Sequence, residues 1–222
     1  MIKTLGFVIL GVASFAVSIL VQKNKNESDE TRKRMLKKAD QANSILKFKN
    51  SSDFQHPISD SIINLLENFD VHQEVGKKLD NEEIKSIENK LQLNLPESYK
   101  IFLKYFGDGG SLVFYQGIDS IQKYSYLGDY INIGSKIISL EEESIDLDSL
   151  LCLMTEDSNG GAWCWLTSEE KKDNEWALAY YRLIDKKLHY KVENFTEWLK
   201  VLTKNRYEVI RVLDTEEELG LG

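Results

Sequence analysis

The side chains with chemistry to offer are three histidines, two cysteines and a few runs of acidic residues. His56, His72 and His189 are far apart in sequence and show none of the short spacings that present metal ligands from one helix or loop. Glu141-Glu142-Glu143 and Glu156-Asp157 place carboxylates side by side, the residue type for proton transfer or for holding a divalent cation. Runs of this kind ordinarily form solvated loops. Gly107-Asp108-Gly109-Gly110 is glycine-rich, but it lacks the lysine of a phosphate-binding loop and follows a helical pattern instead of preceding one. It reads as a helix stop. The expectation is therefore a non-enzymatic chain with no catalytic residue, no metal set and no cofactor.

Cys152 and Cys164 each stand between large apolar neighbours, Leu151 and Leu153 for the first, Trp163 and Trp165 for the second. Two cysteines are too few for a disulfide framework or a zinc site, so both read as buried thiols in a reducing compartment. A disulfide would require the domain to lie outside the cytoplasm. Trp163 and Trp165 alternate with Cys164 and so share one face of a strand, with core packing the default and an exposed binding hot spot the alternative.

The elements that position these groups follow from the periodicity. Ser59 and Asp60 can cap a helix carrying Ile62, Ile63, Leu65, Leu66 and Phe69. Asp80 or Asn81 can cap a second, with Ile84, Ile87 and Leu91 on one face. Leu95-Pro96 opens a third, with proline expected at the first helical position, and Tyr99, Phe102, Leu103 and Phe106 form its core stripe. Short strand-like runs come next: 111–115, a tyrosine-rich piece at 123–127, part of 131–140, then 150–154, 162–166, 176–183 and 188–191. Asp157-Ser158-Asn159-Gly160-Gly161 joins LLCLM to AWCWL as a hairpin turn. Phe195, Trp198, Leu199 and Leu202 mark a closing helix. Helices, then a mostly antiparallel sheet, then a helix define an α+β domain, expected over residues 58–206, with an acidic tail at 207–222.

Before that domain, residues 4–21 contain no charge. As a helix they would span about 27 Å, close to a hydrocarbon core of roughly 30 Å. The run is longer than the apolar region of a secretory signal, and Ser18-Ile19-Leu20-Val21 offers no small-x-small cleavage site. An uncleaved single-pass anchor over 1–22 is expected, with a cleaved signal the competing reading. Lys23, Lys25, Arg32, Lys33, Arg34, Lys37 and Lys38 follow it, which favours a cytoplasmic C-terminal domain. Residues 23–57 read as a basic polar stalk or linker with one helical piece from about 29 to 48. That piece could lie on an anionic membrane or stand free in solvent.

Charge divides the chain. Residues 1–56 hold ten Lys/Arg against five Asp/Glu, whereas residues 57–222 hold eighteen against thirty-one. A domain this acidic repels phosphates, which argues against nucleic acid and suits a basic protein. Turns at strand ends expose backbone and charge, so the candidate partner-binding residues are Asp108, Glu156, Asp157 and Asn159.

The segment Ile84–Leu91, then Leu95-Pro96-x-x-Tyr99-Lys100-x-Phe102-Leu103 and Gly109-Gly110, resembles the opening motif of the SUKH superfamily, which includes the Smi–Knr cell-wall assembly regulators. The 150–166 hairpin with its acidic, glycine-containing turn and Phe195-x-x-Trp198-Leu199 are similar to that family's later parts, so the resemblance runs from about Asp80 to Leu202. The apolar N-terminus, the helix at 59–69 and Leu166-Thr167, where members often place an acidic residue, depart from its simplest form. The resemblance implies a protein-binding domain. Among bacterial members that most often means an immunity protein that neutralises a toxin by direct binding, with a regulatory or scaffold module of the cell envelope as the other implication.

Overall fold

A computed structural model describes residues 29–68, 76–113, 116–131, 137–140, 143–154, 161–168 and 172–204. The apolar run 4–21 and the acidic tail 207–222 lie outside the described residues, and among those described no helix is long and apolar enough to cross a membrane. The chain divides into two units, Met1–Asn43 and Ser44–Gly222. In the first, residues 29–43 are helical, and Met35 and Leu36 are exposed on that helix.

The second unit starts earlier than the sequence suggests. Helix α1 occupies 29–49, and its last turn carries Phe48, which is fully buried against Phe54 and Tyr105 at ring distances of 5.5 and 4.5 Å. Residues expected as stalk thus supply core, because an aromatic ring inside a lysine-rich stretch gains more from burial than from solvent.

Five further α-helices are present among the described residues. Helix α2 (Ser59–Asn68) starts at a serine whose hydroxyl turns back to the His56 and Phe54 carbonyls, at 2.7 and 2.8 Å. Helix α3 (Asn81–Leu91) has a full capping box: Asp80 accepts from the Glu83 N–H at 2.8 Å, and Glu83 accepts from the Asp80 N–H at 3.1 Å. Helix α4 (Glu97–Tyr105) begins one residue later than expected, with Pro96 as the cap position rather than the first helical residue. Helix α6 (Phe195–Lys204) closes the fold, while α5 (Leu127–Tyr130) is a single turn.

The strands are β1 (Gly110–Val113), β2 (Gln116–Ile118), β3 (Ile137–Leu140), β4 (Glu143–Asp146), β5 (Leu150–Met154), β6 (Ala162–Leu166), β7 (Leu178–Arg182) and β8 (Lys187–Val192). All pairings are antiparallel: β1 with β2, β3 with β4, and a four-stranded sheet in the order β5-β6-β7-β8. The tyrosine-rich piece expected as a strand is instead a 3₁₀ turn (Ile121–Lys123), an isolated bridge from Tyr126 to Leu151, and α5. Tyr124 and Tyr126 both pack on the helix-side core through these turns, so aromatic content alone did not mark a strand.

The four-stranded sheet is buried on both faces. Leu151, Leu153, Trp163, Trp165, Leu178 and Tyr180 share one core with α2, α4 and α6. Leu150, Cys152, Cys164, Ala179, Tyr181 and Leu188 share the other with α5 and the β3–β4 hairpin. The period of two assigns the tryptophans to the helix side and the cysteines to the hairpin side. Double burial is why LLCLM and AWCWL read as unbroken apolar runs. On the helix side Phe195 lies 5.1 Å from Tyr99 edge-on and 5.5 Å from Trp198 in a stack, each such pair contributing about 0.5–1.5 kcal/mol beyond its buried area.

Candidate functional site

Helix α4 ends at Tyr105, and the chain then turns through Gly107, Asp108 and Gly109. Gly109 has φ +82°, and a Cβ there would meet the Ile118 carbonyl and Ser120 N–H at 3.0 Å, so only glycine fits. This close approach brings Asp108 over the start of the 121–123 turn. Its carboxylate accepts from the Ser120 hydroxyl at 2.7 Å and from the Ile121 N–H at 2.7 Å, and its own N–H donates to the Lys77 carbonyl at 2.9 Å. Asp108 is only 8% exposed. Of the four residues expected to meet a partner, this one turns its carboxylate inward and ties three segments together. Glu156, Asp157 and Asn159 lie outside the described residues, in the connection between β5 and β6.

One cluster brings together the residue types of a nucleophilic site. Ser98, in the first turn of α4, donates its backbone N–H to Glu175 Oε1 at 2.8 Å and its hydroxyl to Glu175 Oε2 at 2.5 Å. His56 Nε2 lies 3.9 Å from the same carboxylate. The order of contacts is wrong for catalysis: the hydroxyl faces the carboxylate directly, the imidazole sits beyond it, and Ser98 is fully buried. His56 Nδ1 already accepts the Ile58 N–H at 3.2 Å. What the cluster does is cap α4, because Pro96 has no side chain that could, and Glu175 reaches in from a distant loop. Burial pushes the Glu175 carboxyl above its ordinary range, against the pull of the two Ser98 hydrogen bonds. Nearby, the Tyr99 and Tyr124 hydroxyls share a buried hydrogen bond of 2.6 Å, and burial raises both phenols. No group of three or more His, Cys, Asp or Glu among the described residues is arranged to hold a metal.

A cleft of about 530 Å³ lies between the end of α1, the 77–83 segment and α4, lined by Lys47, Lys77, Lys78, Lys104, Asp53 and Glu83 among others. Its charges are largely closed on one another: Lys104 bonds Asp53 at 2.6 Å, Lys78 bonds Ser44 at 2.6 Å, and Lys77 bonds Glu83. Of these, the Lys78–Ser44 bond is the one that involves α1.

The outer surface presents two contrasting features. On one, α5 packs on the 147–149 turn so closely that a Cβ on Gly128 would lie 2.8 Å from Asp148 Oδ1. This sets Asp129 and the half-exposed Tyr130 beside Asp146 and Asp148, all exposed, with Glu143 at the start of β4. Asp146 also accepts from the Asp148 N–H at 2.9 Å, which orders the turn. The result is an acidic ledge with a half-exposed tyrosine at its edge. The other feature is the β7–β8 turn, where Leu183 and Ile184 are 48% and 86% exposed beside Lys186 and Lys187. There Asp185 bonds Arg182 Nε at 3.0 Å and His189 Nε2 at 2.9 Å, and the Arg182 guanidinium holds its carboxyl well below the usual carboxylate range.

Sequence reasoning missed both. Tyr130 sits one residue after a Gly-Asp pair that signals a turn, and Leu183-Ile184 precedes Asp185, so turn chemistry was the available signal in each case.

The described residues thus form an α+β domain with three helices over a doubly buried antiparallel sheet. The SUKH_6 family model, described as SMI1-KNR4 cell-wall, matches residues 81–199, and the chain belongs to that family. The match runs from the start of α3 into α6 and so leaves α1 and α2 outside it. A search among curated proteins found no match.

Proposed function

We propose that this protein is a non-catalytic binding module held at a membrane by residues 4–21, and that it acts as an immunity protein, neutralising a basic toxin by direct contact. The observation that carries the reading is the acidic ledge of Asp129, Tyr130, Asp146 and Asp148 on a domain whose net charge is strongly negative. Opposite charge speeds encounter and sets register, and an aromatic anchor inside such a patch supplies affinity. The lysine and arginine flank after residue 21 supports a cytoplasmic domain, where an incoming toxin would meet it. Family membership supports the same class of function.

A regulatory or scaffold role at the cell envelope is the second reading, favoured by the cell-wall description of the family. Co-expression separates the two. Cells producing the full chain should survive a toxin encoded beside its gene, and cells lacking it should not. Equal killing in both, with altered wall composition when the gene is deleted, would exclude immunity and support the envelope role.

A further inference from the structure

Cys152 and Cys164 face each other directly across β5 and β6, as register partners, with their sulfurs 3.4 Å apart. Each is no more than 1% exposed, and no disulfide joins them. A disulfide requires sulfurs at about 2.05 Å, so each need move only about 0.7 Å. Regular pairing on one side already holds the Cα atoms, with Leu151 opposing Trp165 and Leu150 opposing Leu166, while on the other side the register shifts between Cys152 and Met154. Ala179, fully buried, is the register partner of Cys164 on β7.

We propose that Cys152 and Cys164 are a modification site, a dithiol that closes to a cross-strand disulfide on reaction with a small disulfide oxidant. One cysteine, as thiolate, attacks a sulfur of the oxidant RSSR, forming a mixed disulfide and releasing RS⁻. The second then attacks the first cysteine's sulfur, closing the S–S bond and releasing the other RS⁻. The two thiol protons leave with the two thiolates, so two electrons pass to the oxidant and two RSH form.

Burial governs when this happens. It pushes the Cys164 thiol well above its ordinary range, with the hydrogen bond to Cys152 acting in the same direction, and a mixed disulfide has no room between two packed layers. The native dithiol therefore reacts only as the hairpin opens or before the fold is complete. Once formed, the bond pins the base of the connection 155–160, which carries Glu156, Asp157 and Asn159. The pair is a clamp that reads the redox state of the compartment in which the chain folds.

The test uses the full chain in detergent, prepared in two forms. One is oxidised in urea with glutathione disulfide and refolded; the other is kept reduced throughout. Linkage makes the folded-to-unfolded preference for the disulfide equal to the gain in the folding constant of the oxidised form. For a loop of this length that gain is on the order of a hundredfold. The expected result is a Cys152–Cys164 linked peptide, a mass lower by two hydrogens, no glutathione adduct, and a higher urea midpoint for the oxidised chain. An equal or lower midpoint, or stable glutathione adducts on the refolded chain, would overturn the proposal. A Cys152→Ser variant, which cannot close the bond, should keep its glutathione adduct and show no gain in urea midpoint from the same treatment.

Discussion

Glu175 illustrates how a single buried carboxylate can look catalytic and be architectural. Its two oxygens satisfy an orphan N–H at the start of α4 and a fully buried hydroxyl, and no residue near α4 in sequence could do both. Glu175→Ala leaves those donors unpaired and should cost about 1–3 kcal/mol, measured as a fall in the urea midpoint. Glu175→Gln keeps an acceptor for the N–H and should cost less. The pH dependence has a defined sign. Because burial raises the Glu175 pKa in the folded state, the native protein binds this proton more tightly than the unfolded chain. The Glu175 contribution is therefore largest below the ordinary glutamate range and declines as pH rises through it toward the raised folded value. Titrating the urea midpoints of wild type and Glu175→Gln should show wild type losing ground across that window, and parallel curves would refute the assignment. None of this was legible beforehand, since Ser98 and Glu175 are 77 residues apart. Asp108 makes the same point from the other side. Its glycine neighbours announced a turn, but residue type could not say that the carboxylate points inward to Ser120 and Ile121.

Among the elements, those with a strong internal period were readable and those set by layering were not. The start of α3 was visible as a cap at Asp80 or Asn81, which the structure resolves to an Asp80 capping box with Glu83, and β5 and β6 fall where their apolar runs lie. Asp80→Ala removes the cap on an exposed helix end and should lower stability by about 1 kcal/mol. Hydrogen exchange localised to the first turn of α3 checks it. An unchanged exchange pattern there would mean that the box contributes nothing. The β3–β4 hairpin was largely hidden because β4 sits inside an acidic stretch and buries only Ile145 of its four residues. Its partner layer is the cysteine face of the sheet, a long-range relation with no local signature. The same holds for α1, whose lysine-rich sequence spoke of solvent while Phe48 belongs to the core.

For the whole molecule, charge is the property that the sequence conveyed best and the structure made more specific. A diffuse negative domain became a particular ledge, with Asp129, Asp146 and Asp148 exposed on packed elements and a half-exposed Tyr130 at its edge, while the β7–β8 turn offers apolar side chains and lysines. The family match accounts for the architecture from α3 to α6 and is consistent with binding as the task of the domain. The most direct measurement is quantitative affinity capture from cells with the full chain as bait, run side by side with a Tyr130→Ala, Asp146→Asn, Asp148→Asn variant of unchanged urea midpoint. One basic protein retained by wild type, released by salt and reduced at least about tenfold by the variant is the predicted result, since losing an aromatic anchor and two complementary charges removes 2 kcal/mol or more in typical interfaces, roughly. Equal retention by both baits, or a partner that is acidic, would contradict the account.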